Sequence, residues 1–196
     1  MSERLLPALF RLPRPPIDYL REPRRSVRRL FRFFNARWQL RSSDHLGPWV
    51  RVQGRMHVSN RGHLNIGERV AFLSHPVPII LHTLPGARLD IGDRTVLNYG
   101  IDISAVKEVR IGADCLLGTH VSILDNDFHE LTARDRMPES RPVRIADGVW
   151  IGNRVVILPG VSIGAGAAVG AGSVVMTDIP ERCLALGNPA RVIKKF

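Results

Sequence analysis

Residues 145–175 read IADGVWIGNRVVILPGVSIGAGAAVGAGSVV, and every sixth residue of this stretch is a β-branched aliphatic. The residues at this spacing are Ile145, Ile151, Ile157, Ile163, Val169 and Val175. A period of six differs from the 3.6 of an α-helix and from the alternation of a simple strand, and it is typical of parallel β-helix repeats. We therefore predict an all-β solenoid. Each repeat supplies one short strand and a corner, and three strands complete one triangular coil.

A second set of small or β-branched residues lies two positions before the first. Its members are Val143, Val149, Val155, Val161, Ala167 and Ser173. Such residues suit the inside of a narrow prism. Gly152, Gly164 and Gly170 directly follow residues of the first set. We predict that these glycines lie at corners that leave little room for a side chain and require a positive φ.

The same phase continues upstream with interruptions. Two regular sets are Ile91, Leu97 and Ile103, and Ile111, Leu117 and Ile123; two weaker sets are Ile66, Phe72 and Pro78, and Val52 with Val58. From Ile123 to Ile145 is 22 residues, which is four more than one coil requires. We therefore predict a solenoid over residues 46–180 with an inserted polar loop over 124–142, followed by a short tail over 181–196. Loops inserted in a solenoid commonly carry its function.

Residues 1–45 form a different kind of segment, with 11 arginines and 4 acidic residues. Four prolines predict an extended lead-in: Pro13, Pro15, Pro16 and Pro23. Residues 24–41 predict an amphipathic helix, and its apolar stripe comprises Val27, Leu30, Phe34 and Trp38. Two roles remain open for this helix. It caps the open end of the solenoid with its stripe against the coil around Val52, or it contacts an anionic membrane, and the two roles can coexist.

Composition argues against several other classes of protein. The net charge of +10 is mainly a property of residues 1–45, and no nucleic-acid-binding signature accompanies it. Cys115 and Cys183 lie far apart without metal-ligand partners, which predicts two reduced core thiols in a cytosolic protein. No apolar run reaches the length of about 20 residues that a membrane span requires, and no apolar segment of a cleaved signal peptide is present. We predict a cytoplasmic protein, peripheral to the inner membrane if residues 24–41 bind it.

From about residue 89 onward the chain resembles the hexapeptide-repeat sugar O-acetyltransferases, such as the galactoside, maltose, nodulation, capsule and exopolysaccharide enzymes. The motifs that carry the resemblance are DNDFH (125–129), GVWIG (148–152), LPGVSIGAGAAVGAGSVV (158–175) and GNPARVIKKF (187–196). The resemblance implies a left-handed parallel β-helix, a homotrimer with active sites between neighbouring prisms, and acetyl-CoA as co-substrate without a metal. Residues 1–60 do not resemble the N-terminal region of galactoside acetyltransferase, so the acceptor is not implied.

The resemblance also implies roles for individual residues. His129 matches the family's general base, and a neutral imidazole suits that role because its pKa lies near the working pH. Asn98 matches, in an ungapped stretch, the asparagine that contacts the reacting groups, where it would donate to an oxyanion. The acceptor-binding aspartate of galactoside acetyltransferase falls on Val106, so we expect this acceptor to be held differently. The candidate acceptor contacts are Asp102, Asp125 and Asp127, with Trp150 as a wall of the thioester pocket.

Coenzyme contacts follow from the same match. The residues expected along the pantetheine are Gly152, Asn153, Ala171, Gly172, Met176 and Thr177. The residues expected to meet the phosphates are Arg191, Lys194 and Lys195.

We therefore predict an acetyl-CoA-dependent O-acetyltransferase acting on a sugar hydroxyl in surface polysaccharide or glycolipid biosynthesis. N-acetylation of an amino-sugar nucleotide remains open, as do the serine and antibiotic acetyltransferases and a non-catalytic β-helix scaffold. A γ-type carbonic anhydrase shares the fold but needs three histidines around one zinc. Here His120 and His129 lie nine residues apart, and no histidine follows them.

Overall fold

The computed structural model describes residues 23–130 and 132–196, and the predicted prolines 13, 15 and 16 lie outside them. The elements, in chain order, are α1 (Pro23–Gln39), β1 (His45–Leu46), β2 (Arg51–Asn60), β3 (His63–Ile66), β4 (Ala71–Thr83), β5 (Arg88–Ile91), β6 (Val96–Asn98), β7 (Asp102–Ala105), β8 (Glu108–Ile111), β9 (Leu116–Leu117), β10 (Ser122–Leu124), β11 (Val143–Ile145), β12 (Trp150–Ile151), β13 (Val156–Ile157), β14 (Ser162–Ile163), β15 (Ala168–Val169), β16 (Val174–Val175), β17 (Cys183–Gly187) and β18 (Ala190–Lys195).

The strands stack in parallel into three faces, which confirms the predicted solenoid. Face 1 has the strand order β1-β3-β5-β8-β11-β14. The long strands β2 and β4 bend round a corner, so the first half of β4 pairs with β6 and its second half with β7. Face 2 continues from β6 through β9, β12, β15, β17 and β18, and face 3 continues from β7 through β10, β13 and β16. Only β18 is antiparallel to its neighbour among the strand pairs of the described residues.

The six-residue period places one column of aliphatic side chains inside each face. On face 3 the inward column aligns Ile103, Ile123, Ile157 and Val175 in register. All six residues of the first predicted set are at most 2% exposed, and so are all six of the second set. Burial of each such aliphatic side chain stabilises the fold by about 1.5–3 kcal/mol. Cys115 and Cys183 are also buried and unpaired, and burial raises the pKa of the Cys115 thiol to about 11.

The corner glycines are required for close packing between coils, and the prediction that they need a positive φ is wrong. A Cβ atom on Gly152 would lie 2.6 Å from the backbone nitrogen of Ala171 in the next coil. The positive φ falls two residues after each of these three glycines, at Arg154, Gly166 and Gly172. In the regular half of the solenoid positive φ values occur at Gly148, Arg154, Gly160, Gly166 and Gly172, again with a period of six.

One upstream core position was predicted wrongly. Ile66, Phe72 and Val52 are fully buried, but Pro78 is not in the core and Ile79 takes its place. The chain bulges at residues 74–78, and the register of β2 against β4 shifts between Gly54 and Met56. The Ser74 hydroxyl closes this bulge by accepting a hydrogen bond from the Ile79 N–H at 2.7 Å.

Helix α1 packs against β2, but not through the predicted stripe. Ala36 and Leu40 are fully buried there, whereas Phe34 and Trp38 are 72% and 70% exposed. The prediction that a capping helix would bury Phe34 and Trp38 near Val52 is therefore wrong. The side chains of Val27 and Leu30 lie outside the described part of the chain.

Candidate active site

Two buried polar residues anchor the loop that leaves the solenoid between β10 and β11. Asp125 is fully buried, and its carboxylate accepts the backbone N–H groups of Val106, Lys107 and Glu108 at 2.6–2.7 Å. The Asn126 amide donates to the Pro138 carbonyl and to the Ser140 hydroxyl, both at 2.8 Å. The first residue of DNDFH thus ties the start of the loop to the preceding coil, and the second ties the start of the loop to its end. Because the Asp125 carboxylate is committed to this role, we withdraw Asp125 from the candidate acceptor contacts.

This anchor leads to a stability prediction. Asp125→Ala removes a buried carboxylate and leaves three N–H groups without their acceptor, and we expect it to lower the free energy of unfolding by about 3 kcal/mol. Asp127→Ala is the matched control, because Asp127 is exposed in the same loop and its loss should change stability by no more than about 0.5 kcal/mol. Urea denaturation of the two variants measures the difference, and equal stabilities would contradict the anchoring role.

His129 lies in this loop with its side chain exposed and its imidazole oriented. Its Nδ1 atom lies 2.8 Å from the backbone carbonyl oxygen of Arg134. Since a carbonyl oxygen can only accept, this contact holds the proton on Nδ1 and leaves the lone pair on Nε2. The loop therefore presents Nε2 to solvent as a proton acceptor.

Asn98 ends β6 at the corner where face 2 turns into face 3, which we call the Asn98 corner. Its Nδ2 atom donates to the Leu117 carbonyl in the next coil at 2.8 Å. The amide is thereby fixed in direction, and its second N–H finds no acceptor within the part of the chain that the structure describes. A half-buried, oriented amide N–H is a suitable donor for a developing negative charge.

His129 and Asn98 come from different corners of the prism. The loop of His129 leaves where face 3 turns into face 1, which we call the loop corner. Between the two corners lies the width of face 3, for example the four residues of β7, or about 13 Å at roughly 3.3 Å per residue.

The predicted coenzyme residues divide between the same two corners. Gly152, Asn153, Ala171 and Gly172 stack on the Asn98 corner, in the turns that lead from β12 to β13 and from β15 to β16. Met176 and Thr177 follow β16 and therefore lie on the loop corner. The Asn98 corner is narrow, because a Cβ on Gly118 would come within 2.7 Å of backbone atoms of Gly152 and Asn153. The Asn98 corner thus offers a ridge of backbone groups and small side chains, and the loop corner adds the exposed side chains of Met176 and Thr177.

Trp150 projects outward from face 2. It lies in register between Leu116 and Ala168, and it is 58% exposed. Two residues further on, Gly152 forms the Asn98 corner. The indole is therefore positioned to wall one side of a groove along that corner.

Asp102 and Asp127 occupy different settings. Asp102 points outward from face 3, just past the Asn98 corner, with the Ser104 hydroxyl 3.5 Å from its carboxylate. Partial burial raises the pKa of the Asp102 carboxyl above its ordinary value, while the Ser104 hydroxyl and the charge of His82 act in the opposite direction. Asp127 is exposed on the loop, two residues before His129.

The basic tail lies at the C-terminal end of the Asn98 corner. Strand β18 pairs with β17, and Arg191, Lys194 and Lys195 are all exposed on it. Leu186 of β17 covers Gly170, where a Cβ would meet its side chain. Arg191, opposite Leu186, therefore lies near the turn that carries Ala171 and Gly172, whereas Lys194 and Lys195 lie opposite Leu184 and Cys183, toward the other end of β17.

Sequence reasoning missed an aromatic pair on the Asn98 corner. The rings of Tyr99 and His120 meet edge to face with centroids 5.6 Å apart, and His120 has a positive φ of 56°. The pair could have been found from the stacking of the turn after Asn98 on the turn after Gly118, which brings into contact two residues that are 21 positions apart in the sequence.

Comparison with known proteins agrees with this architecture. Residues 142–176 match the family model "Bacterial transferase hexapeptide (six repeats)". A putative acetyltransferase of Schizosaccharomyces pombe is 32% identical over 185 residues, which are 91% of this chain and 84% of the relative. A putative lipopolysaccharide biosynthesis O-acetyl transferase of Escherichia coli is 32% identical over 151 residues, 71% of this chain and 76% of the relative.

Solved structures show the same fold. A hexapeptide-repeat acetyltransferase of Vibrio cholerae in complex with acetyl-CoA superposes with a TM-score of 0.59 and 29% identity, covering 80% of this chain and 73% of that one. A mutant GDP-perosamine N-acetyl transferase of Caulobacter crescentus in complex with CoA and GDP-perosamine superposes with a TM-score of 0.56 and 26% identity, covering 76% of this chain and 58% of that one.

Proposed function

The chain belongs to the hexapeptide-repeat acetyltransferases and is an acyltransferase, and from that premise we propose that it transfers an acetyl group from acetyl-CoA to a sugar hydroxyl. The observation that carries the proposal is the orientation of His129, whose Nδ1 proton is held by the Arg134 carbonyl. A solvent-facing Nε2 lone pair is what a general base for a hydroxyl acceptor requires.

The proposed chemistry moves one proton and one acyl group. His129 Nε2 takes the proton of the acceptor hydroxyl while its oxygen attacks the thioester carbonyl. The second N–H of Asn98 donates to the oxygen that becomes negative in the tetrahedral intermediate. When the carbon–sulfur bond breaks, the protonated His129 returns its proton to the departing thiolate. The products are an O-acetyl sugar and free CoA.

A second protomer would complete this site. The loop corner carries His129, Met176 and Thr177. The Asn98 corner carries Asn98 and the remaining residues expected along the pantetheine. We propose a homotrimer in which the loop corner of one protomer faces the Asn98 corner of the next, so that acetyl-CoA lies in the groove between them. A cyclic trimer repeats such a heterologous contact three times and closes.

The proposed groove suits the shape and charge of acetyl-CoA, with which the Vibrio cholerae relative was crystallised. Small residues at the Asn98 corner let a thin pantetheine chain approach backbone N–H and carbonyl groups. Arg191, Lys194 and Lys195 would meet the phosphates of the adenosine end. Trp150, Asp102 and Asp127 remain the proposed acceptor contacts.

We expect substitutions in the tail to affect only the coenzyme. Arg191→Ala and Lys194→Ala should each raise the KM for acetyl-CoA roughly fivefold, because one exposed charge pair contributes about 1 kcal/mol. The KM for the acceptor should stay within about twofold. Arg61→Ala is the matched control, since Arg61 is an exposed arginine near the N-terminal end of the solenoid. If steady-state kinetics show a change in the KM for the acceptor and none in the KM for acetyl-CoA, the tail does not contact the coenzyme phosphates.

The proposed biological setting is surface polysaccharide or glycolipid biosynthesis in the cytoplasm, where acetyl-CoA is available. The Escherichia coli relative named for lipopolysaccharide O-acetylation supports this setting. N-acetylation of an amino-sugar nucleotide is the second candidate, supported by the GDP-perosamine enzyme. Release of free CoA thiol across a panel of sugars and amino-sugar nucleotides tests both. Turnover confined to the amino sugars would overturn the O-acetyl proposal.

A further inference from the structure

Polar side chains hold helix α1 on the solenoid in one fixed orientation. The Asn35 amide donates to the backbone carbonyls of Val52 and Gly54, at 3.1 and 2.9 Å. The Gln39 amide donates to the Gly54 carbonyl at 2.9 Å and accepts the Met56 N–H at 2.6 Å. The docked face also includes the buried side chains of Ala36 and Leu40. These contacts determine which face of α1 remains outside.

The outer face of α1 is aromatic. Phe31, Phe34 and Trp38 are spaced three and four residues apart, so they share one side of the helix. Each of the three is 67–72% exposed. The guanidinium of Arg41 lies 4.7 Å above the Trp38 ring, at the C-terminal end of this face. We call these three residues the aromatic face. Large aromatic side chains grouped on one exposed face mark an interaction surface.

The charge around the aromatic face has one sign. Seven of the 18 residues from 24 to 41 are arginine, and none is acidic. Aromatic side chains on one side of a helix with many arginines on the same segment are typical of helices that lie in a membrane interface. The single helix that the structure describes is not long and apolar enough to cross a membrane.

We propose that α1 docks this enzyme onto an anionic lipid surface. The helix lies parallel to the bilayer, Phe31, Phe34 and Trp38 insert at the level of the headgroups, and Arg32, Arg37 and Arg41 contact lipid phosphates. The docked face stays on β2, so the contact requires no unfolding of the first coil. In an oligomer each protomer adds one such helix, and the contacts reinforce one another.

The position of α1 orients the proposed site toward that surface. Gly54, which receives both anchoring amides, lies where β2 bends at the Asn98 corner, and the strand order along face 2 is β2-β4-β6. Strands are spaced about 4.8 Å apart, so the anchor lies about 10 Å along the solenoid axis from the coil of Asn98. The tail that would hold the coenzyme phosphates lies at the opposite end. This part of the inference rests on the proposed function: the acceptor end of the groove faces the bilayer, as a lipid-linked sugar acceptor requires.

Vesicle co-sedimentation of the full chain tests the docking. We expect the wild type to sediment with vesicles of phosphatidylcholine and phosphatidylglycerol, not with phosphatidylcholine alone, and binding should fall as salt rises. The variant Phe31→Ser/Phe34→Ser/Trp38→Ser should bind the mixed vesicles at least about tenfold more weakly. Val192→Ser/Ile193→Ser/Phe196→Ser is the matched control, because it removes three exposed apolar residues at the other end of the solenoid. Its binding should equal that of the wild type.

Any of three outcomes would overturn the docking. The wild type does not bind the mixed vesicles, the aromatic-face variant binds them as well as the wild type, or that variant forms a smaller oligomer than the wild type in sedimentation. The last would mean that the aromatic face contacts a second copy. Circular dichroism checks that the variant is folded, as expected for exposed positions. Vesicle binding does not require acetyl transfer, so this experiment tests the docking independently of the proposed reaction.

Discussion

His129→Ala is expected to lower kcat for acetyl transfer about 10²- to 10⁴-fold, the range observed when a general base is removed. The hydroxyl would then attack without losing its proton to a positioned acceptor. The fold should be unaffected, because the imidazole is exposed and its hydrogen bond to Arg134 lies within the loop. Single-turnover assays with a fixed acceptor, together with a thermal melt, measure the two properties separately.

His63→Ala provides the control for this prediction. His63 is also an exposed histidine whose Nδ1 faces Asp44 at 3.3 Å, and the strand order β3-β5-β8-β11 places it three strands, about 14 Å along the solenoid axis, from β11, where the loop of His129 returns. Its kcat should stay within about twofold of wild type. If His129→Ala retains turnover within about tenfold of wild type, the assignment of the general base is wrong.

Asn98→Ala is expected to lower kcat about 10²- to 10³-fold, the usual cost of removing one oxyanion donor. A more informative change in activity is expected when this variant is mixed with His129→Ala. If each site takes Asn98 from one protomer and His129 from its neighbour, random mixed oligomers contain intact sites although every chain is defective. About a quarter of the sites would then carry both residues, for equal amounts of the two chains.

Refolding the two variants together, against each one refolded alone, measures this recovery. We expect activity to rise from the low level of the separate variants to about a quarter of the wild-type value. A mixture no more active than the separate variants would mean that both residues act within one chain, and the groove between protomers would be wrong.

The core of the solenoid could be predicted from the sequence because its repeat is local. Ile151 and Val169 point inward for the same reason, since each occupies the same position of its own hexapeptide. Pro78 broke that phase because the bulge at residues 74–78 inserts extra chain at one corner, and only the pairing of β2 with β4 reveals it. The lack of room for a side chain at Gly152, Gly164 and Gly170 was predicted correctly, but the positive φ expected there falls two residues later.

The helix and the site depended on contacts that a single segment does not encode. The apolar stripe of α1 suggested a buried face, but the amides of Asn35 and Gln39 attach the opposite face to β2. The motif match identified His129 as a candidate base, but it did not predict the contact with the Arg134 carbonyl that sets the tautomer of the imidazole. It pointed equally to Asp125, whose three backbone N–H partners lie in the preceding turn of the coil. Hydrogen bonds between residues distant in the sequence therefore distinguish a carboxylate with a structural role from one that is available to bind an acceptor.

The chemical linkage of the product distinguishes acetyl transfer to a hydroxyl from acetyl transfer to an amine. Purified wild-type protein is supplied with radiolabelled acetyl-CoA and a sugar acceptor, and the labelled product is treated with mild alkali. We expect a label on the sugar that alkali releases as acetate, because an ester hydrolyses readily, and no such product with His129→Ala. A label that survives alkali as an amide, or ester formation that does not depend on His129, would contradict this expectation.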